Sequence, residues 1–97
     1  MNVDFKTYKE LADKFKALAN PVRLKMIVGL MKGECCVGDI QECLSISQPN
    51  VSQHLKVLKE AGIIKGRRDK NKICYRIVDK SIIKILRIFL KGEDRND

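Results

Sequence analysis

The chain contains no tryptophan and a single histidine, His54, and aromatic residues make up only 5% of it. So few aromatics argue against a non-specific architectural or RNA-binding protein, which would need them to stack bases, and Tyr75 is the one Phe, Trp or Tyr in the basic half outside the last helical stretch. One histidine excludes a histidine-rich metal site. There is also no histidine–carboxylate–nucleophile arrangement, no glycine-rich phosphate loop and no C-x-x-C pair, so an enzyme is the weakest functional class. No apolar run approaches the ~20 residues that span a bilayer, and residues 1–11 lack the apolar region of a signal peptide. The expected location is the cytoplasm, where the four cysteines should be mostly reduced thiols and not a disulfide framework.

What is present is a hydrophobic content of 44% over 97 residues, which suits one domain spanning residues 1–97. The net charge of +8 is unevenly placed. Residues 1–46 carry seven Lys/Arg against six Asp/Glu, residues 47–91 carry twelve against three, and residues 92–97 carry one against three. The excess sits entirely in the second half. A basic half of this kind faces a polyanion, with nucleic acid favoured over membrane because an interfacial helix would need an aromatic face.

That basic half opens with Ser47 to Gly62, a helix with a start signal at Ser47, Pro49 in its first turn and a stop at Gly62. At ~100° per residue, Val51, Leu55 and Leu58 form an apolar stripe, while Pro49, Gln53, Lys56 and Glu60 point roughly the other way with Ser52 and Lys59 on a flank. Asn and Gln pair with adenine in the major groove, Ser contacts base or phosphate, and Lys neutralises phosphate. The stretch reads as a recognition helix.

Its surroundings fit. Phe5 to Ala19 has helical spacing through Tyr8, Leu11, Ala12, Phe15 and Leu18. Asn20-Pro21 ends it and starts a second helix to about Lys32, stopped by Gly33. Val37 to Leu44 is a short third helix with Ile40 and Leu44 inward, and Ser45 to Ser47 connects it to the recognition helix. Together these make a helix-turn-helix. Two β-branched, basic runs follow, from Ile63 to Arg68 and from Lys72 to Val78, with Asp69-Lys70-Asn71 as the turn between them. Arg67, Arg68, Lys70 and Lys72 on this hairpin are phosphate-contact candidates, and the same charges would protect an exposed sheet edge. A last helix runs from Lys80, capped by Asp79, to about Lys91. Its apolar residues cover more than one stripe, which predicts a dimer interface through Ile82, Ile85, Leu86 and Phe89, with Tyr8 and Leu11 of the first helix alongside. Residues 1–4 and 92–97 are expected to fray.

Three motifs in order then carry a resemblance: Ala17-Leu18-Ala19-Asn20-Pro21-Val22-Arg23-Leu24; Glu34-Cys35-Cys36-Val37-Gly38-Asp39; and Ser47-Gln48-Pro49-Asn50-Val51-Ser52-Gln53-His54-Leu55, followed by the hairpin ending Tyr75-Arg76-Ile77. Over roughly Lys14 to Leu90 the chain looks like the ArsR/SmtB family. The resemblance implies a mainly α winged helix-turn-helix of about five helices with a β-hairpin wing, dimeric through its first and last helices. It also implies a repressor that leaves a pseudo-palindromic DNA operator on binding an inducer. The family's DNA-reading positions fall on Gln48, Asn50, Ser52, Gln53 and Lys56, with Ser47 as the cap, and His54, in the family-like run Ser52-Gln53-His54-Leu55, is read as packing or a backbone contact.

The inducer site departs from the family pattern. Where some family sensors have Cys-Val-Cys-Asp, this chain has Cys36-Val37-Gly38-Asp39, and the last helix keeps Asp79 but has Ser81 in place of a histidine. Cys36 and Cys43 would be ~10.5 Å apart along a helix, too far for one ion or one disulfide. In a winged helix the segment before the third helix pairs with the wing's returning strand, which brings Cys35 or Cys36 near Cys74. Those three are the candidates for a thiol pair or a three-thiolate site, for As(III), Cd(II) or Zn(II), or for oxidants and reactive sulfur species. Cysteines that only pack, in a repressor that answers no inducer, are the remaining alternative.

Overall fold

The structure, a computed structural model, describes residues 4–95, with side chains described up to residue 91. Helix α1 (Phe5–Leu18) is capped by Asp4, whose carboxylate accepts from the Thr7 amide and hydroxyl. Asp4 is therefore an ordered cap and residues 92–95 are helical, against the expected fraying, while residues 1–3 and 96–97 lie outside the described residues. The Asn20 side chain accepts from the amides of Val22 and Arg23 and starts α2 (Pro21–Leu30), where Pro21 has no amide hydrogen to leave unpaired. A short strand β1 (Cys35–Cys36) leads directly into α3 (Val37–Leu44), and α4 (Gln48–Glu60) follows. Strands β2 (Ile64–Asp69) and β3 (Lys72–Ile77) form the wing, and α5 (Lys80–Arg95) ends the fold.

The architecture is the expected one: five helices and a small antiparallel sheet of order β1-β3-β2, a winged helix-turn-helix. Boundaries differ at a few places. The α2 helix ends two residues before Lys32 because the chain turns at Met31–Lys32 to reach β1. Asp69 pairs with Lys72, so the hairpin turn is the two residues Lys70-Asn71, with Lys70 at φ 60°, a tight turn that suits the right-handed twist of paired strands. The α5 helix continues past Lys91 to Arg95.

One apolar core joins the elements. Ile27 of α2, Val51, Leu55 and Leu58 of α4, and Ile63 after it are almost completely buried, together with Ile64 of β2. The amides of Val78 and Asp79 donate to the Ile63 carbonyl, fixing the chain where it leaves the wing. Lys14 then pairs with Asp79 at the start of α5, which ties α1 to α5. Burial opposes ionisation of Asp79, but the hydrogen bonds from Lys14 and Ser81 outweigh it, so the carboxyl titrates below its ordinary value.

Burial also corrects the expected interface. Ile82 and Leu86 do not face a partner; they lie 3% and 7% exposed in the chain's own core, because that side of α5 is the one turned toward α1 and α2. On these two helices the large apolar side chains left outside are Phe5, Tyr8, Leu11 and Phe15 of α1 and Ile88 and Phe89 of α5, the last 79% exposed. Phe15, Leu18, Leu24, Val28, Ile85 and Phe89 line a groove of about 330 Å³ between these helices.

Candidate nucleic-acid interface and the cysteine pair beside it

The recognition-helix geometry begins at a turn. Ser45 adopts a left-handed conformation at φ 56° and its amide donates to the Gln41 carbonyl, which closes α3 and redirects the chain. Ser47 then caps α4, accepting from the Asn50 amide at 3.4 Å. With Val51, Leu55 and Leu58 held in the core, helical periodicity leaves Gln48, Asn50, Ser52, Gln53 and Lys56 exposed together. Core packing orients this polar face.

A second contact holds the helix. Arg23 donates through Nε to the Ala17 carbonyl at 2.6 Å and sets Nη1 3.2 Å from His54 Nδ1. Arginine has no acceptor, so Nδ1 of His54 accepts and its proton resides on Nε2. His54 thus serves as an anchor from α4 to the α1–α2 corner. The sequence motif contains Arg23, but helical periodicity alone gave no partner for it.

The wing supplies Arg68, Lys70 and Lys72, all exposed. Arg67 is also on it but is already engaged: its Nε and Nη2 donate to Glu34 at 2.8 and 2.7 Å. The Arg67 hydrogen bond draws the Glu34 carboxyl below its usual range, with a smaller opposing effect of burial. Glu34 gives no signal in the sequence beyond its place in a motif. It precedes β1 while Arg67 lies on β2, so the pair bridges across the middle strand.

Under that bridge lies the largest departure from expectation. Reduced thiols are the expectation from the compartment, yet Cys36 and Cys74, whose proximity the winged-helix pairing does predict, are joined in a disulfide. The cause is register: Cys36 stands opposite Cys74 across the β1–β3 ladder. Cys35 pairs with Tyr75 instead, and neighbouring residues on a strand point to opposite faces, so Cys35 turns toward the core. A three-thiolate site from Cys35, Cys36 and Cys74 is therefore not assembled, and no group of three or more His, Cys, Asp or Glu with metal-binding placement exists among the described residues. Cys35 and Cys43 are unpaired thiols. Cys36 lines a groove of about 370 Å³ shared with Gly38, Gln48, Ser52, Lys72 and Tyr75, between α3, the start of α4 and the wing.

No helix among the described residues is long and apolar enough to cross a membrane. The sequence pattern described as "Bacterial regulatory protein, arsR family" matches residues 20–65, which contain α2, α3 and α4. The chain is 40% identical over 83 residues to the HTH-type transcriptional regulator MJ1325 of Methanocaldococcus jannaschii, covering 84% of this chain and 92% of that protein. It is also 40% identical over 74 residues to the biofilm growth-associated repressor of Xylella fastidiosa, covering 76% of this chain but only 65% of that repressor's length. The solved structure of the transcriptional repressor BigR from Xylella fastidiosa superposes with a TM-score of 0.80 at 35% identity, covering 89% of this chain and 88% of that one. On the matched helix-turn-helix, the wing and these relatives together, the chain belongs to the arsR family of bacterial regulatory proteins.

Proposed function

We propose that the protein is a cytoplasmic transcriptional repressor that binds double-stranded DNA as a homodimer. The observation that carries this reading is the exposed polar face of α4, held outward by a fully buried opposite face and flanked by a basic wing. In this reading Gln48, Asn50, Ser52 and Gln53 address base edges and the phosphates beside them, with Ser47 at the helix start. Lys56, Arg68, Lys70 and Lys72 neutralise phosphates. Arg67 acts by bracing the wing through Glu34. Two copies of α4 in a two-fold dimer reach successive major grooves of a pseudo-palindromic operator. Tyr8, Leu11, Ile85 and Phe89 form the interface.

The inducer reading favoured here is thiol oxidation over As(III), Cd(II) or Zn(II) coordination, on the observation that Cys36 and Cys74 face each other as a pair. In a reducing cytoplasm such a bond is a transient, signalling one. It joins the lead-in of α3 to the middle strand of the wing, so opening or closing it changes how the wing sits against the helix-turn-helix.

The test is fluorescence anisotropy on DNA from the protein's own promoter region, with reduced and oxidised samples. Gln53→Ala is expected to cost roughly 1–3 kcal/mol at one base position and to relax preference there. Lys72→Ala is expected to weaken binding evenly on all sequences and to reduce the salt slope by about 0.9. Equal losses for both variants on every sequence would refute a base-reading α4.

A further inference from the structure

We infer that Cys36 and Cys74 are a hydroperoxide-reactive thiol pair in which Cys36 attacks and Cys74 resolves, and that bound DNA closes the route to Cys36. The last part rests on the DNA-binding reading above.

The two sulfurs are not equivalent. Cys74 lies on the middle strand and is 2% exposed. Cys36 is half-buried and lines the open groove, so a small oxidant entering there meets Cys36 first. Cys36 is also the N-cap of α3, and no side chain caps that helix. When the pair is reduced, unpaired amides and the positive end of the helix dipole favour a thiolate at this position. Arg67 stands opposite Cys74 in the ladder, but Glu34 offsets its charge, and Asp39 in the first turn of α3 opposes a thiolate, so the amides of the helix start are what favours one at Cys36.

The chemistry balances with a hydroperoxide as the oxidant. The Cys36 thiolate attacks a peroxide oxygen; an S–O bond forms, the O–O bond breaks, and the departing alkoxide takes a proton from solvent. Cys36 is then a sulfenic acid. Cys74 attacks Cys36 Sγ, the S–S bond forms, the S–O bond breaks, and the hydroxide leaves as water with the proton of the Cys74 thiol. Two thiols supply the two electrons that reduce the peroxide to an alcohol and water. The opposed positions on β1 and β3 need no strand exchange for the second step.

The entry groove is shared with the surface that DNA would cover. Gln48 and Ser52 of α4 and Asn71 and Lys72 of the wing border it together with Cys36. A duplex lying against α4 and the wing tip sits over this groove, so the DNA-bound protein should resist the oxidant that the free protein accepts.

The experiment treats the reduced full chain with hydrogen peroxide in the presence of dimedone and maps adducts by mass spectrometry. Cys74→Ala, which keeps the buried site apolar, is expected to collect the adduct at Cys36, whereas the parent chain forms the Cys36–Cys74 disulfide. Cys36→Ser should show no adduct at Cys74 at the same dose. An adduct on Cys74, Cys35 or Cys43 ahead of Cys36 would overturn the roles. In the parent chain, where no substitution disturbs the fold, iodoacetamide should label Cys36 before Cys74, and the reverse order overturns them as well. A random-sequence duplex at low salt should slow the Cys36 reaction in proportion to the bound fraction, measured by anisotropy on the same samples. An unchanged rate with duplex bound overturns the shielding. A duplex that fails to bind is instead the failure of the DNA-binding reading; it removes the shielding and leaves the adduct map to decide the thiol roles.

Discussion

The division of α5 into a buried and an exposed side makes a quantitative prediction. Phe89 is 79% exposed in the single chain, and Ile82, seven residues earlier, is 3% exposed. Burying a phenylalanine completely is worth ~1.5–3 kcal/mol, so the four-fifths still exposed would contribute roughly 1–2.5 kcal/mol per protomer when covered. A two-fold interface uses the residue twice, which gives roughly 2–5 kcal/mol. Phe89→Ala is therefore expected to raise the dimer dissociation constant by about 30- to 4,000-fold, with little effect on the folding of the separated chain. Ile82→Ala should do the opposite: it opens a core cavity costing about 2–5 kcal/mol of chain stability. Sedimentation equilibrium reads the first quantity. Thermal melting at a concentration where the parent is already dissociated reads the second. A Phe89→Ala variant with the parent's dissociation constant would refute the interface, and one that melts as low as Ile82→Ala would refute the assignment of sides.

Two further outcomes follow from the contacts of the fold. Asp79 has a lowered pKa in the folded chain, so its contribution is present above its unfolded value of about 3.9 and is lost as pH falls through the folded value. Asp79→Asn should accordingly lower the melting temperature at neutral pH, and the gap to the parent should close only below about pH 4; a gap independent of pH would show that the Lys14 pair is not its source. Reducing the Cys36–Cys74 bond, which closes a sequence separation of 38, should destabilise the chain by up to about 4 kcal/mol in urea titrations, and Cys74→Ala should lose that response to reductant.

Local patterns made much of this molecule readable in advance. Asn20-Pro21, Ser47 and Gly62 punctuate the helices through groups within a few residues of one another, and the inward stripe of α4 follows from spacing alone. Its outward face was legible for the same reason, because burial of one side assigns the other. The wing strands were recognisable from two β-branched, basic runs around a polar turn. The interface residues were harder: the apolar residues of α5 cover more than one stripe beside its Lys80, Lys84, Arg87 and Lys91 face, so composition announced an excess of apolar surface without saying which part α1 and α2 would take.

The sequence by itself determined the order of elements, the outward polar face of α4 and the basic charge of the half that contains it, because each depends on short-range geometry or simple counting. Tertiary structure decided which cysteine meets which, since a shift of one residue in the β1–β3 register would have put Cys35 opposite Cys74 and turned Cys36 away. It also engaged Arg67 with Glu34 and Arg23 with His54, residues separated by 33 and 31 positions, whose meeting depends on how strands and helices pack and not on any pattern along the chain.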